Sequence, residues 1–288
     1  MHYAEIAPPE PLRDHIECFW SLSGDAEANA ARATTRVFPD GCIELIVHLG
    51  TPWSWRPEDG ELRVQPTAFV VGQLTRPLHL EPPARGGHAF GARFRPGGAA
   101  GIVADALEPL TDTVTPLATL WGAAEAQAFA ARLLAAAEDA TRAATLAGML
   151  SSRAAGRKGA HPAIRTAVEA IFTARGSLRV APLARASGWG ERQFERRFAR
   201  EVGCTPRTLA RTVRFQQLLA LVGRDERVDW AGLAWDSGFA DQAHLIREFR
   251  RFTGATPGSF ADEALALARR FVTPERLSRY FRDEPSRG

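Results

Sequence analysis

The sequence predicts an α+β protein, with a β-rich first half trailed by helices and an all-α second half. Three observations carry this. Short β-rich runs punctuated by Gly, Pro and Asp fill residues 17–95, an alanine-rich texture follows, and one helical unit occurs twice after residue 160. The 288 residues, 45% hydrophobic and 24% charged, fit a globular chain of two domains and exclude a fibrous or disordered one.

The β-rich runs are ECFWSLSG, ATTRVFPDG, CIELIVHLG, TAFVVGQL, PLHLEPP and HAFGARFRPGG. Their short spacing is that of antiparallel strands joined by turns, which makes a small β-barrel or sandwich the expected fold. After Pro96-Gly97-Gly98 the chain turns alanine-rich. AAEAQAFAARLLAAAEDATRAATLAGML has strong helix propensity and carries Phe129, Leu133 and Leu134 near helical spacing, so one or two helices should pack on the sheet domain or on a partner subunit. SSRAAGRKGA, residues 151–160, is small, polar and basic without periodicity, and reads as a linker. The expected division is a β-rich sensory or dimerisation domain at 1–155, a helical domain at 160–265, and a tail at 266–288.

Composition narrows the function. No stretch approaches eighteen uninterrupted apolar residues, and the first twenty carry prolines and acids where a signal peptide needs a basic start and an apolar core. The expectation is a soluble cytoplasmic protein with no membrane partner. Cys18, Cys42 and Cys204 include no close pair, so neither a disulfide framework nor a CxxC zinc site is expected. The net charge of +3 is split: residues 161–288 hold 22 Lys and Arg against 15 Asp and Glu, and residues 1–160 hold 14 against 18. Lys158 is the only lysine, and arginine suits bidentate contact with phosphate and guanine.

The repeat aligns LARASGWGERQFERRFAREVGCTP with LAWDSGFADQAHLIREFRRFTGATP. Leu183, Ala184, Ser187, Gly188 and Trp189 match Leu233, Ala234, Ser237, Gly238 and Phe239 at an offset of fifty. One residue is inserted in the turn, after which Phe194, Phe198, Gly203, Thr205 and Pro206 match Leu245, Phe249, Gly254, Thr256 and Pro257. Each copy reads as a helix, a turn whose glycine suits a left-handed backbone, a second helix, and a closing Gly and Pro. Phe194, Phe198 and Val202 form one apolar stripe on the second helix, as do Leu245, Phe249 and Phe252. The free faces show Arg192, Glu195, Arg196 and Arg200 in the first copy, and Gln242, Ala243, Ile246, Arg247 and Arg250 in the second. Arginine, glutamine and small apolar groups read base edges in the major groove, and two helix-turn-helix units on one chain can engage successive grooves. Arg196 and Arg247 are favoured as base contacts because each stands two residues before the matching phenylalanine; Glu195 either accepts from cytosine or orients Arg196. Between the copies, 206–225 begins with Pro at a helix start and has Leu209, Val213, Leu218 and Leu221 among polar residues, which predicts one long connecting helix.

Residues 164–260 resemble the double helix-turn-helix domain of the AraC/XylS family of bacterial transcription regulators, whose second motif runs Gly-Phe-small-Asp, a helix, then Gly-x-(Ser/Thr)-Pro. GFADQAHLIREFRRFTGATP is a close match, with Leu245 standing where the family more often has Phe. The resemblance implies seven helices in two subdomains, promoter DNA as partner and contact with RNA polymerase. FPDGCIELIVHLG and HAFGARFRPGGA resemble an uncharacterised sensory domain found with this module. Control by a small-molecule effector in this domain, or by a homodimer through the alanine-rich segment 123–150, is the expected mechanism.

In CIELIVHL, Ile43, Leu45, Val47 and Leu49 line one strand face and Cys42, Glu44, Ile46 and His48 the other. Arg93 and Arg95 share a face opposite Ala92 and Phe94. Inside a barrel mouth Glu44, His48, Arg93 and Arg95 would hold a polar or anionic effector; on an outer face they would be solubilising groups. The competing expectation is a cupin-like metal enzyme using His48, His79 or His88, or a protein-interaction module. Cupin sites need clustered ligands, usually His-x-His, and the chain has none, nor a nucleophile elbow, phosphate loop or dinucleotide fingerprint. Cys42, beside Glu44 and near His48, is a nucleophile candidate with nothing in the sequence to fix its geometry, and Cys18 with Cys42 is a thiol-sensing candidate. The reading is therefore not an enzyme, with no catalytic residue, metal or cofactor.

Overall fold

The computed structural model describes residues 2–24, 35–57, 60–222, 232, 239 and 241–257. Among these residues ten strands form two sheets. The larger holds β1 (His2–Ile6), β2 (Ile16–Ser23), β4 (Ile43–His48), β7 (Ala68–Val71), β9 (His88–Phe94) and β10 (Val114–Pro116), in the order β1-β2-β9-β4-β7-β10. The smaller holds β3 (Thr35–Val37), β5 (Ser54–Arg56), β6 (Arg63–Val64) and β8 (Leu78–Glu81), in the order β3-β8-β5-β6. All six runs read from the sequence hold strands, and β1, β5, β6 and β10 are additional. Among the described residues the two sheets share no strand pairing, so the fold is an open sandwich and not a closed barrel. Local alternation reveals strands and their faces; closure depends on long-range pairing that it does not contain.

The period-2 alternation of β4 decides what each face of the larger sheet meets. Ile43, Leu45 and Val47 join Phe19, Phe90, Ala92 and Phe94 in a large core that continues into the helices. Ile46 turns the other way, toward the smaller sheet, with Cys18, Trp20, Phe69, Val71 and Ala89. On β9, Gly91 falls beneath the indole of Trp20: a Cβ there would stand 2.8 Å from the ring. A glycine at this register lets the tryptophan lie flat on the sheet.

Helices α1 (Leu117–Trp121), α2 (Ala123–Ala135) and α3 (Asp139–Ala154) follow the strands. Phe129, Leu133, Leu146 and Leu150 bury one face of the α2–α3 pair in the large core, while Leu134 stays exposed. The stretch read as a linker is shorter than its composition suggested: residues 151–154 complete α3, since Ser, Ala and Arg are all tolerated in a helix. What remains is held down, with Arg157 Nη1 donating to Gly101 O at 3.4 Å and Ala160 buried.

The second half comprises α4 (Pro162–Thr173), α5 (Val180–Ala186), α6 (Glu191–Val202), α7 (Pro206–Val222) and α8 (Gln242–Thr253). Ile164, Ile171, Phe194, Phe198, Val202, Leu209 and Val213 belong to the same core as the larger sheet, so the first helical unit docks on the sandwich. The second unit has a core of its own, with Phe215, Leu218, Leu219, Phe239, Leu245, Phe249 and Phe252 gathered around Phe38 of the β3–β4 connection. The turn 233–238 and the tail 266–288 lie outside the described residues.

Candidate nucleic-acid interface and inter-sheet cavity

The two copies of the repeat end their second helices alike. Gly203 closes α6 at φ 97° and Gly254 closes α8 at φ 74°, both left-handed, where a side chain would be strained. Gly188 turns at φ 75° between α5 and α6. Each following helix or turn starts with Thr-Pro; Thr205 Oγ1 accepts from the Thr208 amide at 3.1 Å and so caps α7. Asp241 caps α8, accepting from the His244 amide at 2.6 Å.

Phe194, Phe198 and Val202 bury one face of α6, and Leu245, Phe249 and Phe252 do the same for α8. This leaves Arg192, Glu195 and Arg196 exposed on α6, and Gln242, Ala243, Arg247 and Arg250 exposed on α8. Two residues of the predicted set are otherwise engaged. Arg200 is exposed, but its Nε donates to Asp105 O at 3.3 Å and its carbonyl accepts from the Leu107 amide at 2.7 Å, so it ties α6 to the sandwich. Ile246 is half-buried against the second core. Arg197, not singled out from the sequence, stacks over Trp189 with its guanidinium 4.5 Å from the ring centre, bracing the turn. Between α7 and α8, Glu248 accepts from Arg211 through Nε at 2.6 Å and Nη2 at 2.5 Å, a bidentate pair that fixes the pose of the second unit.

A cavity of about 90 Å³ lies between the sheets. Trp20, Ile46, Trp53, Phe69, Val71 and Leu78 are among the residues that line it, and Glu44, His48 and Arg93 face it too, where the alternation had left a choice between a cavity and solvent. Arg95 does not: β9 ends at Phe94, and Arg95 Nε donates to Arg13 O at 2.9 Å outside the cavity. Arg93 is buried and faces three carboxylates, with Nη2 2.7 Å from Glu44, Nη1 3.6 Å from Glu5 and Nε 3.7 Å from Asp40. Burial opposes its charge, and Glu44, Tyr3 and Asp40 more than reverse that, holding the guanidinium protonated more firmly than usual. Tyr3 donates to Glu5 at 2.7 Å; burial raises its pKa well above the usual phenol range.

His48 is 3% exposed, and its Nε2 meets Gln65 Oε1 at 3.0 Å. Burial lowers its pKa, with the Gln65 contact opposing. His79 and His88 shift the same way, each chiefly through burial. Below an unfolded pKa of about 6.5 the unfolded chain therefore binds more protons than the folded one, and stability falls as pH falls. Acidification from about pH 7.5 to about pH 5.5 is expected to lower the melting temperature, and His48→Gln to flatten that slope; parallel slopes for parent and variant would contradict it.

All three cysteines are buried. Cys42 Sγ lies 3.6 Å from Glu17 and Cys18 Sγ 3.9 Å from Arg93; burial pushes the Cys204 thiol up to about 12. His88 meets Ser21 Oγ at 3.3 Å and His79 sits on β8 in the smaller sheet. Among the described residues no three His, Cys, Asp or Glu side chains group closely enough to hold a metal, and no helix is long and apolar enough to cross a membrane.

Residues 183–263 match a family model described as a helix-turn-helix domain, and residues 4–116 match one described as a domain of unknown function, DUF6597. No curated protein matches the chain. Among solved structures the chain is similar to ToxT from Vibrio cholerae at 10% identity, over 86% of this chain and 98% of that one, with a TM-score of 0.47. It is also similar to ToxT from Vibrio cholerae O395 bound to (E)-4-(8-methylnaphthalen-1-yl)but-3-enoic acid, at 10% identity, 86% and 97% coverage and a TM-score of 0.46. Unsaturated fatty acid bound ToxT from strain SCE256 scores 0.42 at 10% identity, with 82% and 90% coverage. The duplicated unit with its paired glycine caps falls inside the residues matched by the helix-turn-helix model, and the chain thus carries an AraC-type helix-turn-helix DNA-binding domain behind an N-terminal domain of the DUF6597 family.

Proposed function

We propose that this DNA-binding transcription regulator reads its operator with α6 and α8 in successive major grooves, under the control of a small molecule held between the two sheets. The observation that carries the first part is the equivalence of the helices: each buries one aromatic or aliphatic stripe, ends on a left-handed glycine and exposes an arginine two residues before its central phenylalanine. Arg196 and Arg247 are the proposed base readers, with Arg192, Glu195, Gln242, Ala243 and Arg250 beside them. Arg200 and Ile246 serve instead to hold their helices in place. The 17 residues of α7 span roughly 25 Å, which sets the separation of the two units.

Arg247→Ala is expected to cost about 1–3 kcal/mol of operator binding and to relax preference at a single base pair. Titration of the variant against single-base operator variants checks this; a uniform loss across all of them would mark Arg247 as a phosphate contact.

Control through the cavity is supported by the segment between β3 and β4. Arg36, Val37, Phe38, Asp40 and Cys42 line the cavity, and the same segment grips the helices. Phe38 sits in the second core 6.3 Å edge-on from Phe215, and the Pro39 carbonyl accepts from Gln216 Nε2 of α7 at 2.5 Å. Gln216 also reaches the cavity wall. A ligand that shifts this segment shifts the pose of α7 and α8, and changes DNA affinity by the difference in its own affinity for the two arrangements. A second copy of the chain is the proposed partner for the outer side of α2 and α3, where Leu134 is exposed. Contact with RNA polymerase follows from the family resemblance.

A further inference from the structure

The charged side chains that line the inter-sheet cavity are two guanidiniums, Arg36 and Arg93, and two carboxylates, Asp40 and Glu44. Arg93 meets both carboxylates, with Nη2 2.7 Å from Glu44 and Nε 3.7 Å from Asp40, and Arg36 directs its Nη1 to the Thr253 carbonyl on α8 at 3.4 Å. Burial lowers the pKa of His48, so its ring is neutral at pH 7. A charged ligand would give up its hydration and find no surplus of either sign among these described groups, so the lining favours an uncharged occupant.

Two buried nitrogens of the lining supply the specific signal. His48 Nε2 lies 3.0 Å from Gln65 Oε1; an amide oxygen only accepts, so Nε2 carries the proton and Nδ1 keeps a lone pair. That Nδ1 and the indole Nε1 of Trp20 have no hydrogen-bond partner in the protein. His48 is 3% and Trp20 6% exposed, and polar atoms buried to this degree almost always find a partner. The two residues share one face of the larger sheet. Trp20, Gly91 and Ile46 stand side by side across β2, β9 and β4, and His48 stands two residues beyond Ile46, about 7 Å along the strand. The Cε2–Cζ2 edge of the Trp20 indole, next to Nε1, lies over Gly91, so the ring extends from β2 toward β4.

Resting on the reading of this cavity as an effector site, we propose that its ligand is an uncharged single-ring compound bearing one hydroxyl, of the phenol type. The hydroxyl accepts from Trp20 Nε1 and donates to His48 Nδ1, and the ring lies against Trp53, Phe69 and Leu78. A hydroxyl is the smallest neutral group that donates and accepts at once. Of the polar and anionic occupants that the strand faces left open, this is the polar one. The volume of about 90 Å³ is roughly six waters' worth, which admits one small ring.

The test measures the heat of binding of phenol, anisole, toluene, benzoate and benzylamine to the full-length chain at pH 7, where phenol is uncharged. Phenol is expected to bind at least about tenfold more tightly than toluene, with anisole, which accepts but cannot donate, in between, and both ions weaker than phenol. His48→Phe should remove the advantage of phenol over anisole. Trp20→Phe, which keeps a ring and loses the N–H, should remove that of anisole over toluene, and it carries the test alone if the His48 variant fails to fold. Toluene, anisole or either ion binding as tightly as phenol, binding of none of the five, or an unchanged order in Trp20→Phe overturns the proposed class. The effector reading is judged separately with Ile46→Trp, which fills the cavity: changed operator affinity in this folded variant keeps that reading whatever the ring compounds do, and unchanged affinity removes it.

Discussion

Phe249→Ala is expected to melt the second helix-turn-helix unit while the rest of the chain stays folded. Phe249 is fully buried, 6.0 Å edge-on from Phe215, in a core that among the described residues is distinct from the one shared by the sandwich and the first unit. Removing a buried phenylalanine ring costs about 3–5 kcal/mol, a large part of the 5–15 kcal/mol typical of a whole domain. The effect should appear as an early melting transition of small amplitude and as operator binding reduced to the half-site read by α6. A single melt at the parent's temperature, with both half-sites still protected, would show that the second core does not hold α8 in place.

Arg93→Leu should have a comparable effect by an electrostatic route. The substitution keeps much of the side-chain volume and takes from Glu44, Asp40 and Glu5 the guanidinium that Arg93 supplies to each of them. Truncating one side of a buried ion pair costs about 3–5 kcal/mol. The sign of the pH dependence is fixed by the same geometry. Crowded carboxylates bind protons more readily in the folded variant than in the unfolded chain, so the variant loses stability as pH rises. Its melting temperature is expected to lie furthest below the parent's near pH 8 and to recover part of the gap near pH 5. Adding Glu44→Gln to the variant should restore stability at the higher pH. A variant as stable as the parent near pH 8 would mean that the carboxylates do not face Arg93 as closely as described.

Much of the fold follows from local patterns whose physical cause is local. The alternation of CIELIVHL placed Glu44 and His48 on one side of β4 and Leu45 and Val47 on the other, because side chains of a strand alternate strictly. The repeat was legible because both units need the same buried stripe and the same left-handed glycine. The same alternation failed one residue further on in β9: Arg95 shares the parity of Arg93, but the strand ends between them and the backbone turns away. Strand β1, HYAEI, lies before a proline pair and is too short to show a period.

What the sequence did not contain is the docking of one half on the other. Leu209 and Val213 read as the inner stripe of a connecting helix, and their partners turned out to include the larger sheet. An apolar face announces burial and says nothing of the surface that covers it. For the same reason Arg200 read as a free recognition residue, and only the fold brings Asp105 and Leu107 to it. The partners of Arg93 were likewise hidden, because Asp40 and Glu5 meet it from separate segments more than fifty residues away in sequence.

Reading of two major grooves by one chain through α6 and α8 can be measured by selecting the full-length protein on a randomised double-stranded DNA pool. The enriched site is expected to hold two conserved blocks about 10 base pairs apart, with Arg247→Ala relaxing one block and Arg196→Ala the other. Enrichment of a single block, or of a site in which both substitutions relax the same base pairs, would contradict it.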